Sequence, residues 1–269
     1  LLISPLPRIL AAMQKLVEPE IPPAADSVWD AADIPIPDIS DLIIQDDTPV
    51  DNVLHEKQMR LLTEPLYTSW QTDRPFLALA NVGLFYEPKQ TPIVPDVMFS
   101  MDVELPPDWR EHKKHLSYFT WERGKAPDVA IEIVSNTRGG ERSTKMKRYA
   151  TQRVSYYIVY DPEHYVQEQN LAGFILLGSE YEPIQPPYHF KNQGLGLALW
   201  HGVFENQAGE WLRWVLPDGT VIPTGAELAA AERQRANEES QRANEESQRA
   251  DAAERRVADL EARLKALQG

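Results

Sequence analysis

The sequence contains no cysteine. That excludes disulfide bonds, thiolate zinc sites and cysteine nucleophiles, and it fits a chain working in a reducing compartment such as the cytoplasm. Long apolar stretches are missing as well. The longest nearly apolar run, FLALANVGLFY from Phe76, is about half of the roughly 20 residues a membrane helix needs. Pro5 and Pro7 interrupt the apolar start, which spoils any signal-peptide core, so no membrane association is expected. Positive charge is in short supply: 27 Lys and Arg stand against 41 Asp and Glu, a net charge of -14 that argues against a protein coating nucleic acid indiscriminately. The deficit is uneven. Residues 109–153 hold eleven Lys or Arg against five acids, leaving +6 there and -20 over the rest. Such a cluster is commonly a solvated face; here it surrounds a strand with an unusual residue in it.

With 269 residues the chain can form one sizeable domain with appendages. Residues 1–50 are rich in proline and acid without sustained periodicity and read as an extended leader. DNVLHEKQMRLLTEPLYTSW, from Asp51, carries apolar residues at helical spacing and reads as an amphipathic helix broken near Pro65. Strand-like runs follow from Phe76, Ile93, Asp128, Ser155, Gly173 and Glu210, with one clear helix, about residues 140–152, between the third and fourth. This predicts a mixed α/β sheet core over residues 51–224 with more strands than helices. Residues 225–269 change character: Ala236, Ala243, Ala250, Val257 and Leu264 recur every seven residues without proline or glycine between them. The positions three residues further on are Glu239, Glu246, Ala253, Leu260 and Leu267, so this coiled-coil seam is apolar only toward its end. Either a dimerising tail or a solvated helix held by its own charge pairs would give this pattern.

The stretch AIEIVS, from Ala130, would lie in the middle of a sheet, yet it contains Glu132. Alternation puts Ala130, Glu132 and Val134 on one face and Val129, Ile131 and Ile133 on the other. A buried carboxylate costs several kcal/mol unless something compensates it. Asp96 interrupts a second strand-like run, IVPDVMF, in the same way. Two carboxylates on separate strands could converge on a divalent cation, with magnesium or manganese suiting an all-oxygen site. Alternatively, each pairs with a buried arginine or lies at a strand end in water. Lys145 and Lys147 follow on the basic helix, and a lysine beside a metal-bound water can stabilise hydroxide or the charge that builds on a phosphorus centre.

These residues resemble a known family. Pro95-Asp96 and the Glu132–Val134 tripeptide are similar to the PD-(D/E)XK nuclease superfamily, in a form whose lysine has left the strand and whose usual lysine position is Val134. EIVSNTRGGERSTKMKRYATQRVSYYIVYDP, from Glu132, resembles the Uma-two family of restriction-type endonucleases. The resemblance matches the strand glutamate to Glu132, the following serine to Ser135, an acid to Glu141, the helix lysine to Lys145, its tyrosine to Tyr149 and the closing turn to Asp161-Pro162. Register with Tyr149 favours Lys145 over Lys147. The chain departs from the family pattern at Asn136 (usually proline), Glu141 (aspartate) and Arg153 (glycine), which bears on local turns more than on chemistry.

The resemblance, which runs from about residue 51 to 224, implies a restriction endonuclease-like fold, a mixed sheet flanked by helices; the leader and the coiled-coil tail lie outside it. It implies an endonuclease hydrolysing DNA with magnesium or manganese held by Asp96, Glu132 and the Ile133 carbonyl, Lys145 activating the water, and DNA meeting the basic region 109–153. A homodimer through the C-terminal helix would pair two such sites. The rival reading is a catalytically silent nuclease-like scaffold assembling through its coiled coil. Other features read as structural. Glu56 is more simply a solvated helical residue than a further ligand; His112 and His115 lack a third ligand; Trp211 and Trp214 suit a core better than base stacking; and Ser135 has no triad partners.

Overall fold

The computed structural model describes residues 52–87, 91–112, 115–135 and 144–267. The leader, Glu141, Asn136, Lys113, Lys114, Arg138 and Arg142 lie outside the described residues. The first element among the described residues is helix α1, Val53–Thr68, whose Asn52 side chain accepts the His55 N–H at its start. The expected break at Pro65 does not occur. The helix runs one turn further, and the Pro65 carbonyl then takes the N–H groups of Ser69 and Trp70. Pro65 has no N–H to give the Leu61 carbonyl, and the helix ends within a turn of it.

The central sheet is mixed and contains six strands in the order β1 (Phe76–Ala80), β3 (Val97–Met101), β5 (Val129–Ile133), β6 (Tyr156–Tyr160), β7 (Leu171–Leu177) and β8 (Glu180–Ile184). Within this sheet only β5 and β6 run parallel. That pairing requires a crossover, and the helix α3, Met146–Thr151, lies within it. Two short strands, β2 (Leu84–Phe85) and β4 (Tyr118–Phe119), pair separately, followed by the short helix α2, Thr120–Arg123. A second sheet has the order β11 (Gln207–Val215), β10 (Leu195–Phe204), β9 (Tyr188–Phe190). The long helix α4, Gly225–Leu267, completes the chain. The sequence reading missed β8, β9 and β10: β8 is half-exposed and contains Pro183, tolerated because β8 is an edge strand, and β10 carries Gly196 and Gly202. Its run from Phe76 is two strands, divided at Asn81, which takes the left-handed conformation (φ 53°).

Alternation along β5 divides the interior into two cores. Val129, Ile131 and Ile133 face Met59, Leu62 and Leu66 of α1 together with Leu212 and Trp214 of β11. Ala130 and Val134 face Tyr149 of α3, Leu84 and Tyr118. Trp211 and Trp214 are buried core residues, and the Trp214 indole N–H donates to the Leu62 carbonyl at 2.7 Å. The edge of β11 is closed at three points: the Tyr160 hydroxyl donates to the Glu210 carbonyl, the Ile222 N–H donates to the Trp214 carbonyl, and a glutamine takes the residue between them. Gln58, fully buried on α1, donates to the Leu212 carbonyl at 2.8 Å and accepts the Leu212 N–H at 3.0 Å, replacing a neighbouring strand. Gln58→Leu would leave both backbone groups buried and unpaired, so denaturant unfolding should show a loss of about 2–5 kcal/mol. A loss under half a kcal/mol would mean that water reaches this edge.

Candidate active site

Strand β5 delivers Glu132 into the interior with no exposed surface. The antiparallel register of β3 with β5 pairs Val97 with Ile131, and extending it by one residue sets Asp96 opposite Glu132. Like charges opposed across strands repel. Asp96 lies just before β3 because Pro95, which precedes it, cannot donate to a ladder. Its Oδ2 accepts the Ile133 N–H at 2.6 Å. An extended residue's N–H and C=O point to the same side, so the Ile133 carbonyl faces the β3 side where β3 pairing has already stopped.

Helix α3 supplies the donors. Lys145, in the turn leading into α3, places Nζ 2.9 Å from Glu132 Oε2, and the Tyr149 hydroxyl donates to Glu132 Oε1 at 2.5 Å. The two residues are four apart and share one helical face, whereas Lys147 points to solvent. Burial and the neighbouring Asp96 push the Glu132 carboxyl up to about 8; Lys145 and Tyr149 pull it back only in part. Burial and the Glu132 charge likewise hold the Tyr149 phenol well above its ordinary value, so it remains a donor.

The first helix contributes a residue that the sequence reading passed over. His55 is buried, with Nε2 3.2 Å from Asp96 Oδ1. Glu56, the candidate considered there, turns outward and pairs with Arg60, which also binds Glu205. The signal was present in the helical period: His55 lies on the same stripe as the buried Gln58, Met59, Leu62 and Leu66.

Much of the basic region is committed internally. Lys125 binds Asp128 and the Met101 carbonyl, Arg148 the Thr91 carbonyl and Arg153 the Gly178 carbonyl. Arg153 also has φ 63°, the left-handed conformation in which the family pattern places glycine. Arg110 and Lys147 remain exposed. His112 pairs with Asp108 at the surface. Asp161 accepts the N–H groups of Tyr165, Val166 and Gln167 and so closes the turn after β6.

Among the described residues, no three His, Cys, Asp or Glu side chains gather closely enough to hold a metal ion alone. A cation here would rely on two carboxylates, a backbone carbonyl and water. That donor set suits magnesium, which retains several waters, and the repulsion between Asp96 and Glu132, only partly offset by Lys145 and Tyr149, is what a divalent charge would relieve. Among the described residues, no helix is long and apolar enough to cross a membrane.

A search of curated proteins gave no match. A crystal structure described as a putative nuclease belonging to DUF820 from Anabaena variabilis ATCC 29413 is 18% identical, covering 52% of this chain and 72% of its own, with a TM-score of 0.37. That likeness is too loose to inform the site. The family model described as Uma2, "Putative restriction endonuclease", matches residues 39–198, more than half of the chain. The chain belongs to the Uma2 family of putative restriction endonucleases.

Proposed function

We propose that the protein is a divalent-cation-dependent endonuclease that hydrolyses DNA phosphodiester bonds, with Asp96, Glu132 and the Ile133 carbonyl holding magnesium or manganese and Lys145 assisting. The observation that carries this reading is the fully buried Glu132 with the partly buried Asp96 opposed to it, and a lysine 2.9 Å from Glu132. A fold gains no stability from setting two carboxylates against each other; a cation site does. When bound, the cation would polarise the phosphate and lower the pKa of a coordinated water. The protein groups do the rest. Tyr149 fixes one Glu132 oxygen, His55 and the Ile133 N–H hold the two Asp96 oxygens, and the partly exposed Lys145 ammonium would stand beside the attacking water and the phosphate. Water adds to phosphorus, the bond to one bridging oxygen breaks, and that oxygen leaves with a proton.

The scaffold reading draws on the net charge of -14 and on the basic side chains spent on internal carbonyls. Calorimetric titration with manganese separates the two readings. The nuclease reading expects a site that is lost in Glu132→Ala, together with chelator-sensitive nicking of supercoiled DNA. Absence of manganese binding in the wild-type protein would leave the scaffold.

A further inference from the structure

Helix α4 is fastened at one end and unsupported along the rest. Thr224 and Glu227 form a reciprocal capping box, with Glu227 N–H donating to Thr224 Oγ1 at 3.1 Å and Thr224 N–H to Glu227 Oε2 at 2.7 Å. Glu227 is also gripped at 2.7 Å by the buried Arg213 of β11, whose guanidinium lies 4.8 Å from the centre of the Trp200 ring. Beyond Ala230, every described residue to 266 is exposed. Val257, Leu260 and Leu264 are 54%, 56% and 58% exposed on one stripe, an unusual arrangement for a solvated helix.

The charges beside that stripe specify what covers it. With Ala250, Val257 and Leu264 as position a and Ala253 and Leu260 as position d, position g is arginine throughout: Arg242, Arg249, Arg256 and Arg263. Position e is Ser240 and Ser247 and then, where the seam turns apolar, Glu254 and Glu261. In a parallel pair, each g residue meets the e residue five positions later on the other helix, which matches Arg249 with Glu254 and Arg256 with Glu261, each twice by symmetry. In an antiparallel pair g meets g and e meets e, which sets arginine against arginine and glutamate against glutamate. Within its own helix Arg249 lies 3.7 Å from Glu245, an exposed contact too weak to compete. Upstream the pattern opposes pairing, because Glu239 and Glu246 occupy position d beside alanines at position a.

We infer that the partner of this face is a second copy of the chain: a parallel, in-register two-stranded coil that closes from about Arg249 onward and forks before it, holding two globular domains on separate helical arms. This holds whether or not the protein cleaves DNA, and its test does not read cleavage.

The absence of native cysteine makes the test clean. Full-length variants with one cysteine each at Ala236, Ala243, Ala250 and Val257, all at position a, are oxidised alongside an outward-facing control, Ala262→Cys. Crosslinking at Val257→Cys and Ala250→Cys should exceed the control at least tenfold and decline toward Ala236→Cys, since a-position pairs in a parallel coil come within disulfide reach. The second arm uses sedimentation. R249E/R256E and E254R/E261R should each associate at least tenfold more weakly than wild type, and an equimolar mixture of the two should recover dimer. Crosslinking no faster at Val257→Cys than at Ala262→Cys, or charge reversals that leave the mass unchanged, would overturn the inference. Flat crosslinking across all four positions would remove the fork.

Discussion

Asp96→Ala and Glu132→Ala should each lower metal-dependent cleavage by on the order of a thousandfold or more, because in the proposed site either change removes half of the charged ligand set rather than a supporting contact. Lys145→Ala should fall by about a hundred- to a thousandfold, since it removes a charge aimed at the developing phosphate without emptying the cation site. His55→Ala acts through Asp96 and should cost about ten- to a hundredfold, with weaker manganese binding as its separate signature. Alanine at 132 also leaves the buried Tyr149 hydroxyl without its acceptor, at a cost of about 1–3 kcal/mol. Glu132→Gln, which keeps an acceptor for Tyr149, is therefore the cleaner variant, and thermal melts must show all of them folded. Cleavage at the wild-type rate by folded Asp96→Ala and Glu132→Ala would remove the site assignment.

Metal affinity should rise steeply with pH. The buried Glu132 carboxyl is pushed up to about 8 from an ordinary value near 4.5, first by burial and then by Asp96. At neutral pH the metal-free protein therefore holds a proton there that a cation must displace. Below about 8, each unit of pH should reduce apparent manganese affinity by up to tenfold, and calorimetry in buffers of different ionisation enthalpy should register about one proton released per ion near pH 7 and none near pH 10. Stability follows the opposite course. A raised folded-state pKa gives stability that is fully present below about 4.5 and lost as pH rises through about 8, so the metal-free fold weakens on the alkaline side. Glu132→Gln cannot ionise, so it should be less stable than wild type by little at pH 5 and more stable at pH 9, by an amount on the order of several kcal/mol. Parallel unfolding curves for the two proteins across this range would mean that Glu132 is ionised throughout and neutralised within the fold.

Two kinds of residue separate here. Those whose meaning is local were legible in the sequence. A glutamate in a run apolar on both faces pointed to burial, and Lys145 and Tyr149, four residues apart, pointed to one helical face. The seven-residue repeat likewise declared a long helix, and the arginines and glutamates beside its seam carry their pairing rule with them. Other features depended on which segments become neighbours. That Asp96 stands opposite Glu132 follows from the register of β3 with β5, set by strands more than thirty residues apart. That His55, and not Glu56, approaches Asp96 depends on which stripe of α1 meets the sheet. Gln58 became a closing piece of β11 because that strand ends the second sheet, and the lysine and arginines that looked like a DNA surface were partly used on carbonyls brought to them from elsewhere. Periodicity reports the face a residue occupies, because it follows from backbone geometry within one element. The identity of the group on the other side is fixed only when burial of apolar surface brings distant elements together, and no spacing along the chain encodes it.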